Sequence, residues 1–135
     1  VLAVDPGLHC GLTARLSDGS LQHTMIHNDM QAVWRYVHTL QPNVIIVERF
    51  ATGGRISRDG LDTVELQGSI LSLAWIIGSQ FYWHTPADRM QFLETARTLI
   101  GANRTKIQSH DVDAVAHLLK WEWMEEHNRQ RKPFI

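Results

Sequence analysis

VLAVDPG, residues 1–7, sets the first question of this chain. Val1-Leu2-Ala3-Val4 is a short apolar run of the kind that makes a strand buried on both faces. Asp5 ends it, followed by Pro6 and Gly7. An unpaired carboxylate is costly to bury, and Asp, Pro and Gly are all turn formers, so Asp5 alone reads as the cap of a bend. A chemical role requires further carboxylates at positions that a fold brings together.

A second apolar run, Val44-Ile45-Ile46-Val47, has the same form and ends in Glu48. Between the two runs, GLTARLS and LQHTMIH flank Ser17-Asp18-Gly19-Ser20, a hairpin turn. A helix capped by Asn28 or Asp29 runs through Val33, Val37 and Leu40 and ends before Pro42. ERFATGGRISRDG, residues 48–60, has two adjacent glycines, three arginines and no apolar period, and reads as an exposed, mobile loop. Residues 62–78 read as a helix and FYWHT as a strand. Pro86 opens a helix carrying Met90, Leu93, Ala96, Leu99 and Ile100 and stopped by Gly101. The last helix begins near Ser109 or His110 and passes through Val112, Val115, Ala116 and Leu119, as far as Met124. A hairpin followed by strand–helix alternation gives an α/β fold: a mixed five-stranded sheet with helices on both faces.

The 135 residues suit one domain over 1–135 with an ordinary core. A single cysteine, Cys10, precludes an internal disulfide and suits a reducing compartment, so a cytoplasmic location is expected. No run is long enough to span a membrane, and no secretion signal is read in the sequence, which opens at Val1 with no initiator Met. The net charge of −1, from 13 basic and 14 acidic residues, is not that of a typical nucleic-acid binder. The basic residues are nonetheless clustered: Arg49, Arg55 and Arg58; Arg104 and Lys106; Arg129, Arg131 and Lys132. A solvated surface is the ordinary reading of each cluster. Trp34, Trp75 and Trp83 lie in apolar segments and read as core. Trp121 and Trp123 lie on different faces of the last helix, where packing of the C-terminal tail accounts for them.

Parallel strands gather functional residues at their carboxyl ends. If the strands ending in Asp5 and Glu48 are neighbours, both carboxylates share one sheet edge. In SHDVDAVAHLL, His110 and Asp113 are three residues apart and share a helical face, whereas Asp111 reads as a helix cap. Three carboxylates with one imidazole, Asp5, Glu48, Asp113 and His110, suit a hard divalent cation, Mg²⁺ or Mn²⁺. Two such ions about 3.5–4 Å apart would serve phosphodiester cleavage.

VLAVDPG, VIIVERF (44–50), ELQGSILSLAWIIG (65–78), ARTLIGANRTK (96–106) and HDVDAVAHLL (110–119), in that order over nearly the whole chain, resemble the RuvC-type Holliday junction resolvases of the ribonuclease H-like superfamily. The short chain is similar to the compact, phage-encoded members, for which the location would be the host cytoplasm. The resemblance implies a metal-dependent endonuclease that makes paired symmetric nicks in four-way DNA junctions. Asp5, Glu48 and Asp113 match its metal-binding acids. His110 matches a fourth site position, as a ligand or a proton-transfer group. Arg97 and Lys106 match basic positions near the scissile phosphate, and Phe50 an aromatic inserted at the opened junction. With Arg55, Arg58 and Arg104 they form the expected DNA-binding set. The family's homodimer interface would fall on helix 62–78, through Ile70, Leu73, Ala74 and Ile77, although these residues suit a buried helix equally. Two other readings stand beside this one: a YqgF-like or ribonuclease H-like nuclease acting on RNA or an RNA–DNA hybrid, and a junction-binding protein that does not cut.

Overall fold

The computed structural model describes residues 1–50, 57–101 and 110–135. Strands β1 (Leu2–Asp5), β2 (His9–Arg15) and β3 (Leu21–His27) are followed by α1 (Met30–Leu40), β4 (Val44–Glu48), α2 (Arg58–Ile77) and β5 (Gln80–His84). Helices α3 (Pro86–Met90), α4 (Leu93–Ile100) and α5 (His110–Glu126) complete the chain. The five strands form one sheet in the order β3-β2-β1-β4-β5. The first three are antiparallel, and β1, β4 and β5 run parallel.

Side-chain alternation divides the sheet between two cores. Leu2, Val4, Leu12, Ile45, Val47 and Phe81 face α1 and α2, meeting Val33, Val37, Ile70 and Leu73. Ala3, Ile46 and Tyr82 face the other way, against Leu118 of α5. Leu93 and Ala96 of α4 extend that second layer onto Val112, Val115 and Ala116. The mixed sheet with helices on both faces is as expected, as is the hairpin. There Asp18 Oδ1 accepts from the Ser20 N–H at 2.9 Å, and Gly19 takes a positive φ of 86°. Asp29 is the cap chosen at α1, accepting from the Ala32 N–H at 2.9 Å.

Four expectations are corrected. Arg58, Asp59 and Gly60 are not loop: Ser57 caps the Gly60 N–H at 3.1 Å, so α2 starts four residues early. The helix from Pro86 is two helices, because the chain turns at Gln91 and Phe92 and re-aims Leu93 and Ala96 at α5. Trp34 and Trp75 are not core; they are 38% and 74% exposed. Ile70, Leu73 and Ala74 are buried within this chain's own core and are not surface. Residues 51–56, part of the expected loop, lie outside the described residues.

The C-terminal tail closes the β5 edge. Phe134 N–H donates to the Phe81 carbonyl at 2.7 Å, and Phe81 N–H to that of Ile135 at 3.2 Å. Arg131 anchors this segment with a fork onto the buried Asp88 of α3, Nη1 to Oδ2 at 2.8 Å and Nη2 to Oδ1. The Thr85 N–H also donates to Asp88 Oδ2, at 2.6 Å. Burial pushes the Asp88 carboxyl up, but the Arg131 fork, the Thr85 N–H and nearby positive charge outweigh it, holding Asp88 well below the usual range. A depressed carboxyl contributes stability above its unfolded value, about pH 4, and loses it as pH falls through the folded value. Asp88→Asn is therefore expected to lower stability at pH 7 by roughly 2 kcal/mol. In urea titrations across pH, the variant should also lose less stability than the native chain on acidification below about pH 4. Equal acid profiles would remove Asp88 from the stability of the tail.

Candidate active site

Three parallel strands end alike. On the face toward α5, alternation places Asp5 after Ala3, Glu48 after Ile46, and His84 after Tyr82. β1 and β4 are direct neighbours, so the expected juxtaposition of Asp5 and Glu48 on one sheet edge is observed. Across from them, the first turn of α5 supplies His110 and Asp113 on one helical face.

Asp5 and Asp113 are buried, and His110 is half-buried. His110 Nδ1 lies 2.6 Å from Asp5 Oδ2. That hydrogen bond raises the affinity of the imidazole for its proton against the opposing effect of burial, and the charges of Asp5, Asp113 and Glu48 add to the rise. One ligand atom each from Asp5, His110 and Asp113 lies within 4.8 Å of the others, a donor set that could hold a metal ion. Two carboxylates and an imidazole in that compass fit a divalent cation. Glu48 stands beside this triad but is engaged elsewhere. Arg89 of α3 reaches its Oε2 at 3.0 Å and its Oε1 at 3.4 Å, while Arg89 Nε lies 3.4 Å from Asp113 Oδ1. His117 Nε2 meets Glu48 Oε2 at 2.6 Å. The backbone carbonyl of Glu48 accepts from Gln67 Nε2 at 2.9 Å, tying the strand end to α2.

The helix start comes this close to the sheet because β2 carries Gly11 opposite Asp5. A Cβ at Gly11 would lie 2.0 Å from the His110 carbonyl oxygen. Asp111 lies inside the first turn of α5 and not at its cap: Oδ1 accepts from the Val112 N–H at 3.0 Å, and Oδ2 lies 3.3 Å from His23 Nδ1 on β3.

Of the expected DNA-binding residues, Phe50 is 39% exposed just past Glu48, so it is not a core residue. Arg58 is exposed at the start of α2. Arg97 on α4 meets Glu94 Oε1 at 2.7 Å. Arg55, Arg104 and Lys106 lie outside the described residues. Sequence reasoning missed Arg89, His117, His84 and Gly11. For His117 a signal was present, since His110, Asp113 and His117 follow the i, i+3, i+7 spacing of one helical face. Arg89 lay in a segment read only for its apolar period.

No protein-family model and no curated protein sequence matches the chain. Solved structures do match. Thermus thermophilus RuvC in complex with a Holliday junction substrate superposes with a TM-score of 0.70 at 18% identity, over 98% of both chains. This is the RuvC fold. A second structure of Thermus thermophilus RuvC gives a TM-score of 0.65 at 19% identity, again over 98% of each chain. The yeast mitochondrial Holliday junction resolvase Ydc2 gives 0.58 at 12% identity, over 95% of this chain and 80% of its own. RuvC is a ribonuclease H-like fold, and the described residues of this chain follow it through sheet and helices. Among the described residues no helix is long and apolar enough to cross a membrane.

Proposed function

We propose that this chain is a divalent-metal-dependent endodeoxyribonuclease that resolves four-way DNA junctions, with residues 1–135 as one nuclease domain acting in the cytoplasm. The observation that carries the reading is the convergence of Asp5, His110 and Asp113 within 4.8 Å, beside Glu48, at the carboxyl edge of a RuvC-fold sheet. The two solved relatives named as resolvases or bound to a Holliday junction support the substrate. Asp5, His110 and Asp113 would hold Mg²⁺ or Mn²⁺, and Glu48 would complete a site for two ions. Bound there, the cations would supply Lewis-acid stabilisation of the charge that develops on a phosphodiester.

The chain's own groups do the rest. His110 commits Nδ1 to Asp5 at 2.6 Å, which leaves Nε2 as the nitrogen that ligates or carries a proton to and from the attacking water. Arg89 offsets part of the negative charge of Glu48 and Asp113, the charge that a cation bound there would offset in its turn. Phe50, Arg58 and Arg97, with Arg55, Arg104 and Lys106, would contact the junction. A nicking assay on a four-way junction, a linear duplex and an RNA–DNA hybrid, with Mg²⁺, Mn²⁺ or chelator, tests the whole. Paired metal-dependent nicks in the junction alone are expected. Cutting of the hybrid instead would change the substrate, and binding without cutting would make this a junction-binding protein.

Symmetric nicking of two opposed strands calls for a two-fold pair of sites. The homodimer we propose still uses α2, but through the face that the fold leaves outward. Leu61, Val64 and Trp75 lie on that face at helical spacing, flanked by Ile76, which is 71% exposed. Trp75→Glu should fold normally and weaken self-association at least about 30-fold, the scale of an aromatic hot spot. Sedimentation velocity reads this directly. A variant that sediments like the native dimer would place the interface elsewhere.

A further inference from the structure

Two further histidines lie behind the acids, buried as deeply as any side chain in the molecule. His117 is 0% exposed and His84 is 1% exposed. His117 sits one turn beyond Asp113 on α5, and His84 ends β5 in register with Glu48. Their Nδ1 atoms are 3.1 Å apart, and His117 Nε2 reaches Glu48 Oε2 at 2.6 Å. Packing alone does not account for them, because an apolar side chain would fill either position without the desolvation that an imidazole incurs. We infer that His84 and His117 form a one-way hydrogen-bond relay that fixes which oxygen of Glu48 is left for a cation. This makes His117 a positioning residue of the site, and the inference rests on the reading of that site as a cation-dependent nuclease centre.

The direction of the relay follows from donor and acceptor chemistry. A carboxylate accepts and does not donate, so the proton between Glu48 and His117 is on His117 Nε2. With a single ring proton placed on Nε2, Nδ1 is bare and requires a donor, and His84 Nδ1 is the group at that point. His84 is therefore the Nδ1–H tautomer, with a bare Nε2 that has no partner among the described residues. Burial and the neighbouring His117 push His84 down to about 3, so it is neutral. The reverse arrangement, with His117 donating at both nitrogens, would strand a buried N–H on His84 Nε2, at roughly 1–3 kcal/mol. An unfilled acceptor lone pair is the more tolerable defect.

The consequence falls on Glu48. Its Oε2 takes His117 at 2.6 Å and Arg89 at 3.0 Å, whereas Oε1 meets Arg89 only at 3.4 Å. Oε1 is the less committed oxygen, and it becomes available when Arg89 yields. Groups that orient a ligating carboxylate in this way typically contribute roughly 10–100-fold to metal affinity.

The test uses two readouts that need no DNA. Long-range ¹H–¹⁵N spectra of ¹⁵N-histidine-labelled native protein without metal should show His117 protonated at Nε2 and His84 at Nδ1. Mn²⁺ titration followed by the free-ion electron paramagnetic resonance signal should show His117→Leu weakening binding roughly 10–100-fold. His117→Gln, which retains an N–H donor, should recover most of the loss and guards against a folding defect in the leucine variant. A His84 protonated at Nε2 would overturn the relay, as would Mn²⁺ binding by His117→Leu equal to native. Failure of the native protein itself to bind Mn²⁺ would instead overturn the nuclease reading, and the inference with it.

Discussion

Asp5→Asn should bind a four-way junction as well as the native chain does and cut it at least about 10³-fold more slowly, since loss of about 4 kcal/mol of charge stabilisation corresponds to that factor. The substitution is close to isosteric. An asparagine oxygen still accepts from His110 Nδ1, now 2.6 Å from Asp5 Oδ2, so β1 and α5 keep their contact. What disappears is one formal negative charge from a buried position in the triad of Asp5, His110 and Asp113. A hard cation binds a carboxylate more strongly than a neutral amide oxygen, so Mn²⁺ affinity should fall together with the rate. Under the proposed function, junction binding would depend on basic side chains and phosphates and should be undiminished. Glu48→Gln should act in the same direction. Side-by-side gel-shift and nicking measurements separate the two quantities, and cutting at the native rate by Asp5→Asn would falsify its assignment to the site.

The second large effect comes from a residue with no functional group. At Gly11 a methyl group would lie 2.0 Å from the carbonyl oxygen of His110, 2.2 Å from its carbonyl carbon and 2.6 Å from the Asp111 nitrogen. All three are backbone atoms, so no side-chain rotation relieves the clash. The start of α5 would have to move by roughly 1.5 Å to restore ordinary contact, or β2 would have to distort. Both responses separate His110 and Asp113 from Asp5, which pairs with Gly11 across the sheet. Gly11→Ala should therefore lower stability by roughly 2–3 kcal/mol and reduce cleavage about 10²-fold, the scale of a misplacement near 1 Å. Gly68→Ala is the control: nothing lies within 4 Å of a Cβ there, and in mid-helix the change should stabilise by roughly 0.5–1 kcal/mol. Thermal unfolding checks both, and the nicking rate checks Gly11→Ala alone, because Gly68 lies on the outward face of α2 proposed for the homodimer. A Gly11→Ala protein as stable and active as native would show that α5 does not depend on this approach.

The single cysteine agrees with these expectations in a smaller way. Cys10 is buried on the α1–α2 side of β2, and burial, aided by the charge of Asp5, pushes its thiol well above the ordinary value. A thiol held in that form is an unreactive core residue.

The sequence by itself offered the succession of strands and helices along the chain, the hairpin, and Asp5, Glu48, His110 and Asp113 as candidate site residues; that β1 and β4 are neighbours came from the fold. The features read from sequence are written in local patterns. Apolar runs that stop at a carboxylate mark the ends of buried strands, and the three-residue spacing of His110 and Asp113 sets them on one helical face whatever lies opposite. The tertiary structure decided what periodicity leaves open. An amphipathic pattern shows that α2 has apolar positions, but Ile70 and Trp75 look alike in sequence; only docking on the sheet buried the first and left the second outside. The cation beside Glu48 and Asp113 comes from Arg89, more than twenty residues from either, through a helix break at Gln91 and Phe92 that the apolar period ran straight across. Gly11 reads as an ordinary strand residue until the helix it admits is in place. Contacts between distant segments depend on how faces are oriented after packing, and that orientation is a property of the whole chain.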